Sequence, residues 1–419
     1  MILNTQSKVN LLKASWLVLA LALIIAGVIG CSQEKRTNSL VGSWHFVFKI
    51  YGQKLPFEAE ISRENEKLQF YAINGKERIR ADKFEVIDDS IFIRLPIFNT
   101  ALIGKLEDGF IKGNYFDYSR KGDYQIPFSA TKGSTSRFAT SNQPVQDVSG
   151  KWKVEFSPGS DNEYLALGVF EQTGNRAFGT FLTTTGDYRY LEGNVSGDSL
   201  LLSCFDGSHV FLFKAKIDGN QIVGDFWSGN HWQENWIGIK DDSYALPDPT
   251  SLTFLKPGYS KVEFSFKNLK GETVSLDDER FKNNVVIVQI MGSWCPNCMD
   301  ETAYLVSLHE KFNQQGLEVI SLAFEKSDNE ETNIHALNRL KDYFNIPYEI
   351  LLAGKASKTE AAKKLPMLNH VLSFPTSIFI DRSGNVRRIH TGFSGPGTGE
   401  YYKEFVEETN QFVTQLLIE

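Results

Sequence analysis

Cysteine is scarce in this chain. Four cysteines in 419 residues, at positions 31, 204, 295 and 298, are too few to staple a scaffold of this size. Only one pair is close in sequence, which excludes a zinc module built from two Cys-x-x-Cys halves. A surplus of positive charge is also missing. The 44 basic side chains face 51 acidic ones, a balance that argues against a dedicated nucleic-acid binder. The uncharged run from Ala14 to Ile29 is 16 residues, just short of a comfortable membrane span. What is present is foldable material, 42% apolar and 13% aromatic. The length suggests two or three domains.

The first thirty residues read as an address. Met1 to Asn10 is polar, with Lys8 and no acid, and Lys13 precedes the uncharged run. A basic start, an apolar middle and small residues at the end describe a secretory signal. Its end, Val28-Ile29-Gly30-Cys31, resembles the bacterial lipobox, in which the signal is cut before a cysteine that is then lipidated. Residues 1–30 are thus expected to be a lipoprotein signal peptide, Cys31 the lipidation site and 31–39 a polar tether. The alternative is an uncleaved membrane anchor. Either puts the remainder in the cell envelope, on the extracytoplasmic (periplasmic) face of an inner or outer membrane. Removing 1–30 deletes two lysines and no acid, taking the net charge from −7 to −9.

Between 40 and 243 short alternating runs are broken by Gly, Asn and Asp, the signature of antiparallel strands. The region repeats itself. Gly42-Ser-Trp44 returns as Gly150-Lys-Trp152, and Asp89-Ser-Ile-Phe-Ile93 as Asp198-Ser-Leu-Leu-Leu202. Asp108-Gly109 with Ile111-Lys-Gly-Asn-Tyr115 returns as Asp218-Gly219 with Ile222-Val-Gly-Asp-Phe226. Ordered matches at a nearly constant offset indicate a duplication, with β repeats at 40–135 and 145–243. About eight strand-like runs in the second copy are enough to close a small barrel. The Gly-x-Trp opening and the strand count resemble lipocalin-like (calycin) barrels, so lipocalin-like antiparallel barrels or a sandwich are expected. Trp44, Trp152, Phe156, Phe211 and Phe213 are read as core. Trp227, His231, Trp232 and Trp236 are denser than a core needs, and a partner surface is the alternative reading. Cys204, inside an apolar run, is expected to be a buried, inert thiol.

Leu246-Pro-Asp-Pro-Thr250 reads as a linker opening a third domain, 246–419. Val285 to Met291 is continuously apolar, as in a strand buried on both faces. A helical stripe follows at Leu305, Leu308 and Phe312, then a strand from Leu317, a helix at 333–344, a capping box Ser357-Lys-Thr-Glu360, a strand Thr376 to Ile380 and a closing helix. Alternation of this kind implies an α/β sheet with its active edge at strand ends.

Trp294-Cys295-Pro296-Asn297-Cys298 lies between the buried strand and the first long helix. A helix N-terminus stabilises a thiolate, Pro296 suits the first turn, and a three-residue step brings the second cysteine close to the first. A structural disulfide or half a metal site is the bland alternative. With Phe374-Pro375-Thr376 entering a strand downstream, the pattern resembles the thioredoxin superfamily, over about Phe264 to Leu417. That resemblance implies an α/β thioredoxin-like domain, Cys295 as an exposed nucleophile, Cys298 as the resolving thiol and Pro375 as a cis-proline beside them. Gln289 stands where thioredoxin has a buried aspartate, while Glu301 follows Cys298 by three residues. Together with Gly292-Ser293-Trp294, this resembles the TlpA/ResA-like extracytoplasmic branch. In that branch Glu301 would relay a proton to or from Cys298, although an acid in a helix's first turns is favoured in any case.

The resemblance implies a membrane-tethered thiol-disulfide oxidoreductase, a reductase of disulfides in exported proteins such as apocytochrome c. It would be recharged by a membrane thiol-disulfide electron donor. No cofactor, metal ion or nucleic-acid partner is implied. Two other readings stand beside it. One is a binding or docking lipoprotein in which the β repeats carry the function. The other is a thiol peroxidase, for which the expected Pro-x-x-x-Thr setting before the cysteine is missing.

Overall fold

The computed structural model describes residues 37–107, 109–120, 122–133 and 136–419. The expected lipidation site Cys31, the expected signal segment 1–30 and the expected tether as far as residue 36 lie outside the described residues.

The alternating sequence of the first repeat forms a nine-stranded antiparallel meander. Strand Gly42–Ile50 shows why it buries one face: Trp44, Phe46, Phe48 and Ile50, two residues apart, are all fully buried. The outer strands of the sheet, Glu77–Arg80 and Lys83–Ile87, are joined by Ala81 and Asp82. These two residues donate backbone hydrogen bonds in opposite directions, to Phe70 O and Arg94 O at 2.9 Å. The sheet therefore curls around a single apolar core.

The second repeat closes outright. Strand Tyr164–Thr173 pairs with Gly150–Phe156 on one side and Arg176–Thr183 on the other, and Arg176–Thr183 pairs in turn with Leu191–Ser196. The ladder thus runs through eight strands back to its start and leaves no edge. A two-residue strand, Gly186–Asp187, folds back on Arg176–Thr183 as a flap. Phe156, Phe181, Phe213, Phe226 and Trp236 fill the interior.

Both copies build the Gly-x-Trp opening the same way. Trp44 Nε1 donates to Leu40 O at 2.7 Å and Trp152 Nε1 to Val148 O at 2.9 Å, each four residues back. The matched apolar positions Ile91, Ile93, Ile111 and Tyr115 point inward, as do Leu200, Leu202, Ile222 and Phe226. The tryptophan-rich stretch divides. Trp227 and Trp236 are core residues, and only Trp232, at 42% exposure, offers its ring to solvent. The three tryptophans therefore do not form one contiguous exposed surface. Phe205 of the second repeat packs on Phe48, Phe57 and Tyr115 of the first. The buried Arg137, between the repeats, bonds to Ser203 O (3.0 Å) and pairs with Glu192. The barrels form one packed body.

The third region is a seven-stranded mixed sheet. All seven residues of its central strand, Val285–Met291, are buried. That strand lies parallel to Leu317–Glu325 and antiparallel to Thr376–Ile380. Helices Pro296–Phe312, Glu330–Phe344 and Glu400–Ile418 contribute Leu305, Leu337 and Val413 to the cluster on one face. Val262, Leu365 and Val371 belong to the cluster on the other. This is a thioredoxin-like domain behind two antiparallel barrels.

Candidate active site

The central strand ends at Met291 and the chain turns through Gly292-Ser293-Trp294 into the first helix. Glycine is required at 292, because a Cβ there would sit 2.3 Å from the Trp294 indole nitrogen and 2.8 Å from Phe324 O. Trp294 is pinned by its Nε1, which donates to Phe324 O at 2.9 Å, and by an edge contact with Phe374. Cys295 caps the helix, its sulfur accepting from Cys298 N at 3.2 Å, and Pro296 opens the first turn. Cys295 and Cys298 form a disulfide with a Cα–Cα distance of 5.2 Å.

The Phe374–Pro375 peptide bond is cis. It abuts the couple: Cys295 Sγ lies 3.4 Å from Phe374 O. Pro375 O accepts from Gly392 N at 2.9 Å, which ties this loop to the next strand.

Glu301 is buried on the helix face one turn beyond Cys298. Its two oxygens accept from Gln289 Nε2 and Ser377 Oγ, each at 2.9 Å. Burial outweighs these donors and pushes the carboxyl up to about 7. Gln289 is the part that sequence reasoning undervalued. Its amide nitrogen bridges Glu301 and the Cys298 carbonyl, while its oxygen accepts from Ser321 at 2.8 Å. It cannot hold a proton, but it fixes the group that can. A second buried carboxylate was missed altogether. Glu325, at the end of the neighbouring strand, accepts from Ser293 N and Ser293 Oγ at 2.7 Å each, and burial pushes it too to about 7. The signal for it was a lone acid at the tip of a buried strand.

The nucleophile position departs from expectation. Cys295 is only 5% exposed rather than open to solvent. The β repeats pack against its surroundings. Ile97 and Phe98 of the first barrel join the apolar cluster that contains both cysteines. The flap of the second barrel lies against Asn297, whose Nδ2 donates to Asp187 O at 3.3 Å. Gly186 is needed there, since a Cβ would sit 2.8 Å from Asn297 Nδ2. Asp187 also accepts from Gly395 N (2.7 Å), and Thr185 O accepts from Ser373 Oγ (2.7 Å). Behind the flap, Arg189 is a buried hub. It pairs with Glu77 of the first repeat at 2.7 Å, with Asp206 of the second at 3.4 Å, and with Asp300, two residues after Cys298. One guanidinium thus joins all three regions at the redox helix.

Cys204 is fully buried and unpaired, and burial raises its thiol well above the ordinary range. Among the described residues no helix is long and apolar enough to cross a membrane, and no group of His, Cys, Asp and Glu could hold a metal ion.

A family model described as the AhpC/TSA family matches residues 257–389. The thiol-disulfide oxidoreductase ResA of Bacillus thuringiensis subsp. konkukian is 30% identical over 152 residues, which are 36% of this chain and 77% of that protein. The thioredoxin-like protein YneN of Bacillus subtilis is 25% identical over 138 residues, covering 33% and 73%. Among solved structures, a thioredoxin-family thiol:disulfide interchange protein of Chlorobium tepidum overlaps 38% of this chain and 95% of its own, at 19% identity and a TM-score of 0.29. With a proline facing a Cys-x-x-Cys helix and a relative of this identity spanned over three quarters of its length, the chain belongs to the ResA-like thiol-disulfide oxidoreductases of the thioredoxin superfamily.

Proposed function

We propose that this oxidoreductase is a lipid-anchored reductase of disulfides in exported proteins, held to the cell envelope through Cys31. The observation that carries the redox part is the Cys295–Cys298 couple at a helix N-terminus, with Phe374 O at 3.4 Å from Cys295 and the buried Glu301 one turn on. In the reduced enzyme the Cys295 thiolate attacks a substrate disulfide. That S–S bond breaks, a Cys295–substrate disulfide forms, and the displaced substrate sulfur takes a proton. The Cys298 thiol passes its proton to Glu301 and attacks Cys295 Sγ, releasing the second substrate thiol. The substrate gains two electrons, and the couple becomes the disulfide. A dithiol carrier in the membrane returns those electrons by the reverse exchange. Trp294 and Pro375 position the partner chain beside Cys295. The β repeats cover the couple and govern which disulfides reach it, which combines the docking and redox readings.

The reduced protein is to be mixed with hydroxyethyl disulfide or a cystine peptide, and thiol release measured. The wild type is expected to release thiols, Cys295→Ser to release none, and Cys298→Ser to accumulate a mixed disulfide visible by mass. Thiol release by Cys295→Ser at the wild-type rate would end the redox reading. The anchor is tested separately: Cys31→Ala should abolish lipid labelling and membrane association in cells.

A further inference from the structure

Beside Trp294 the first barrel and the redox domain enclose a half-open cleft of about 580 Å³, a volume in the range of ligand sites. Its walls include Phe98, Tyr118 and Arg120 from the barrel and Trp294, Lys326 and Arg339 from the redox domain. Residues 293 and 294, immediately before the nucleophile, form part of the floor, so an occupant would be continuous with the couple.

The charges in this cleft are unevenly matched. Its acids are already engaged. Glu325 accepts twice from Ser293, and Asp117 pairs with Arg120 at 2.9 Å while accepting from Ser119. Two of its cations are not. Lys326 has no carboxylate within ion-pair reach among the described residues, and its ammonium rests 4.7 Å from the Trp294 ring centroid. Arg339 likewise makes no ion pair among them, and its buried Nε has no acceptor. Burial is the largest influence and disfavours the charge on both. Arg120 repels Lys326 and Arg94 repels Arg339, while Asp117 and Glu325 for Lys326, and Asp82 and Glu325 for Arg339, offset this only in part and from beyond ion-pair distance. An arriving carboxylate would supply what both lack, in a partly desolvated place where pairing is stronger than in water.

We infer that this cleft is a substrate-selecting subsite that takes a carboxylate carried close to the substrate's disulfide, in an acidic peptide segment flanking the reducible cystine. The aromatic wall of Phe98, Tyr118 and Trp294 would hold the peptide's apolar stems, and Lys326 and Arg339 its acidic groups. This rests on the redox reading above. It goes beyond that reading by assigning substrate choice to a wall that the first β repeat completes.

The test compares three cystine peptides of equal length, flanked by Asp, Asn or Lys, as substrates of the reduced full-length protein. Expected is a second-order rate about tenfold higher for Asp than for Asn, lower again for Lys, with the preference fading at high salt. The charge-reversed double variant Lys326→Glu/Arg339→Glu should invert the order, whereas Lys326→Arg should keep it. Because the order is read within each variant, a loss of folded protein does not imitate it. Equal rates on all three peptides, or an order unmoved by charge reversal, would overturn the inference. Oxidised glutathione is the second arm: the same dependence on Lys326 and Arg339 would assign the carboxylate to a small disulfide instead of a peptide, overturning the peptide part. Failure of the wild type on neutral hydroxyethyl disulfide would instead strike the redox reading.

Discussion

Replacing Glu301 by Gln changes how stability depends on pH, and the size of the change follows from the site. Burial raises the carboxyl from 4.5 to about 7. The folded protein therefore holds a proton that the unfolded chain has lost between those values. Stability from this group is fully present below pH 4.5 and declines as pH rises through 7, above which both states are ionised. At about 1.4 kcal/mol per pH unit, the decline amounts to about 3 kcal/mol. Glutamine carries no such cost. It retains contact with Gln289 and Ser377, losing about 1 kcal/mol in hydrogen-bond fit at low pH. The variant should thus be slightly less stable than the wild type near pH 4.5 and more stable by about 2 kcal/mol near pH 8.5. Glu325, raised to a similar value, titrates alike in both proteins and cancels in the difference. Urea unfolding of the oxidised protein at several pH values, followed through the redox-domain transition, measures it. Parallel stability curves for wild type and variant would refute the reasoning.

Other outcomes follow from the same physical picture. Arg189→Met leaves Glu77, Asp206 and Asp300 without their shared cation, so stability should fall by about 3–5 kcal/mol. Alkylation of reduced Cys295 by iodoacetamide should quicken at the same time, and an unchanged alkylation rate would mean the hub does not hold the cover in place. Cys204, fully buried with a raised thiol, should resist iodoacetamide in the native protein and react only on denaturation, as peptide mass mapping can show. Native labelling at Cys204 would contradict that burial.

Much of the architecture could be read from the chain because its physical cause is local. A strand buried on both faces must be continuously apolar, and Val285–Met291 is such a run. The duplicated barrels announced themselves because the same inward positions recur in both copies, from Trp44 and Trp152 onward. Strand number was less legible. The second sheet has, besides the eight strands that close its barrel, a ninth, the two-residue flap, too short to show a period. The aromatic stretch near 230 misled for a related reason: density of tryptophan does not reveal which face of a strand each one occupies, and two of three point inward.

The surroundings of the couple were the least legible part. Ile97, Asp187 and Arg189 lie between one and two hundred residues from Cys295, and nothing in their neighbours marks them. They meet the redox helix only because the barrels pack as one body. The cover over Cys295 is a product of tertiary packing, whereas the Cys-Pro-Asn-Cys helix start is written in consecutive residues. Gln289 taught the converse lesson: a substitution that removes a titrating group can be the support of another one nearby.

The most direct test of the account is the equilibrium reduction potential of the 295–298 couple in the full-length protein, measured by equilibration against dithiol buffers. A reductase of exported disulfides predicts a two-electron potential of about −270 mV, and a value of about −120 mV would contradict it by making the couple an oxidant.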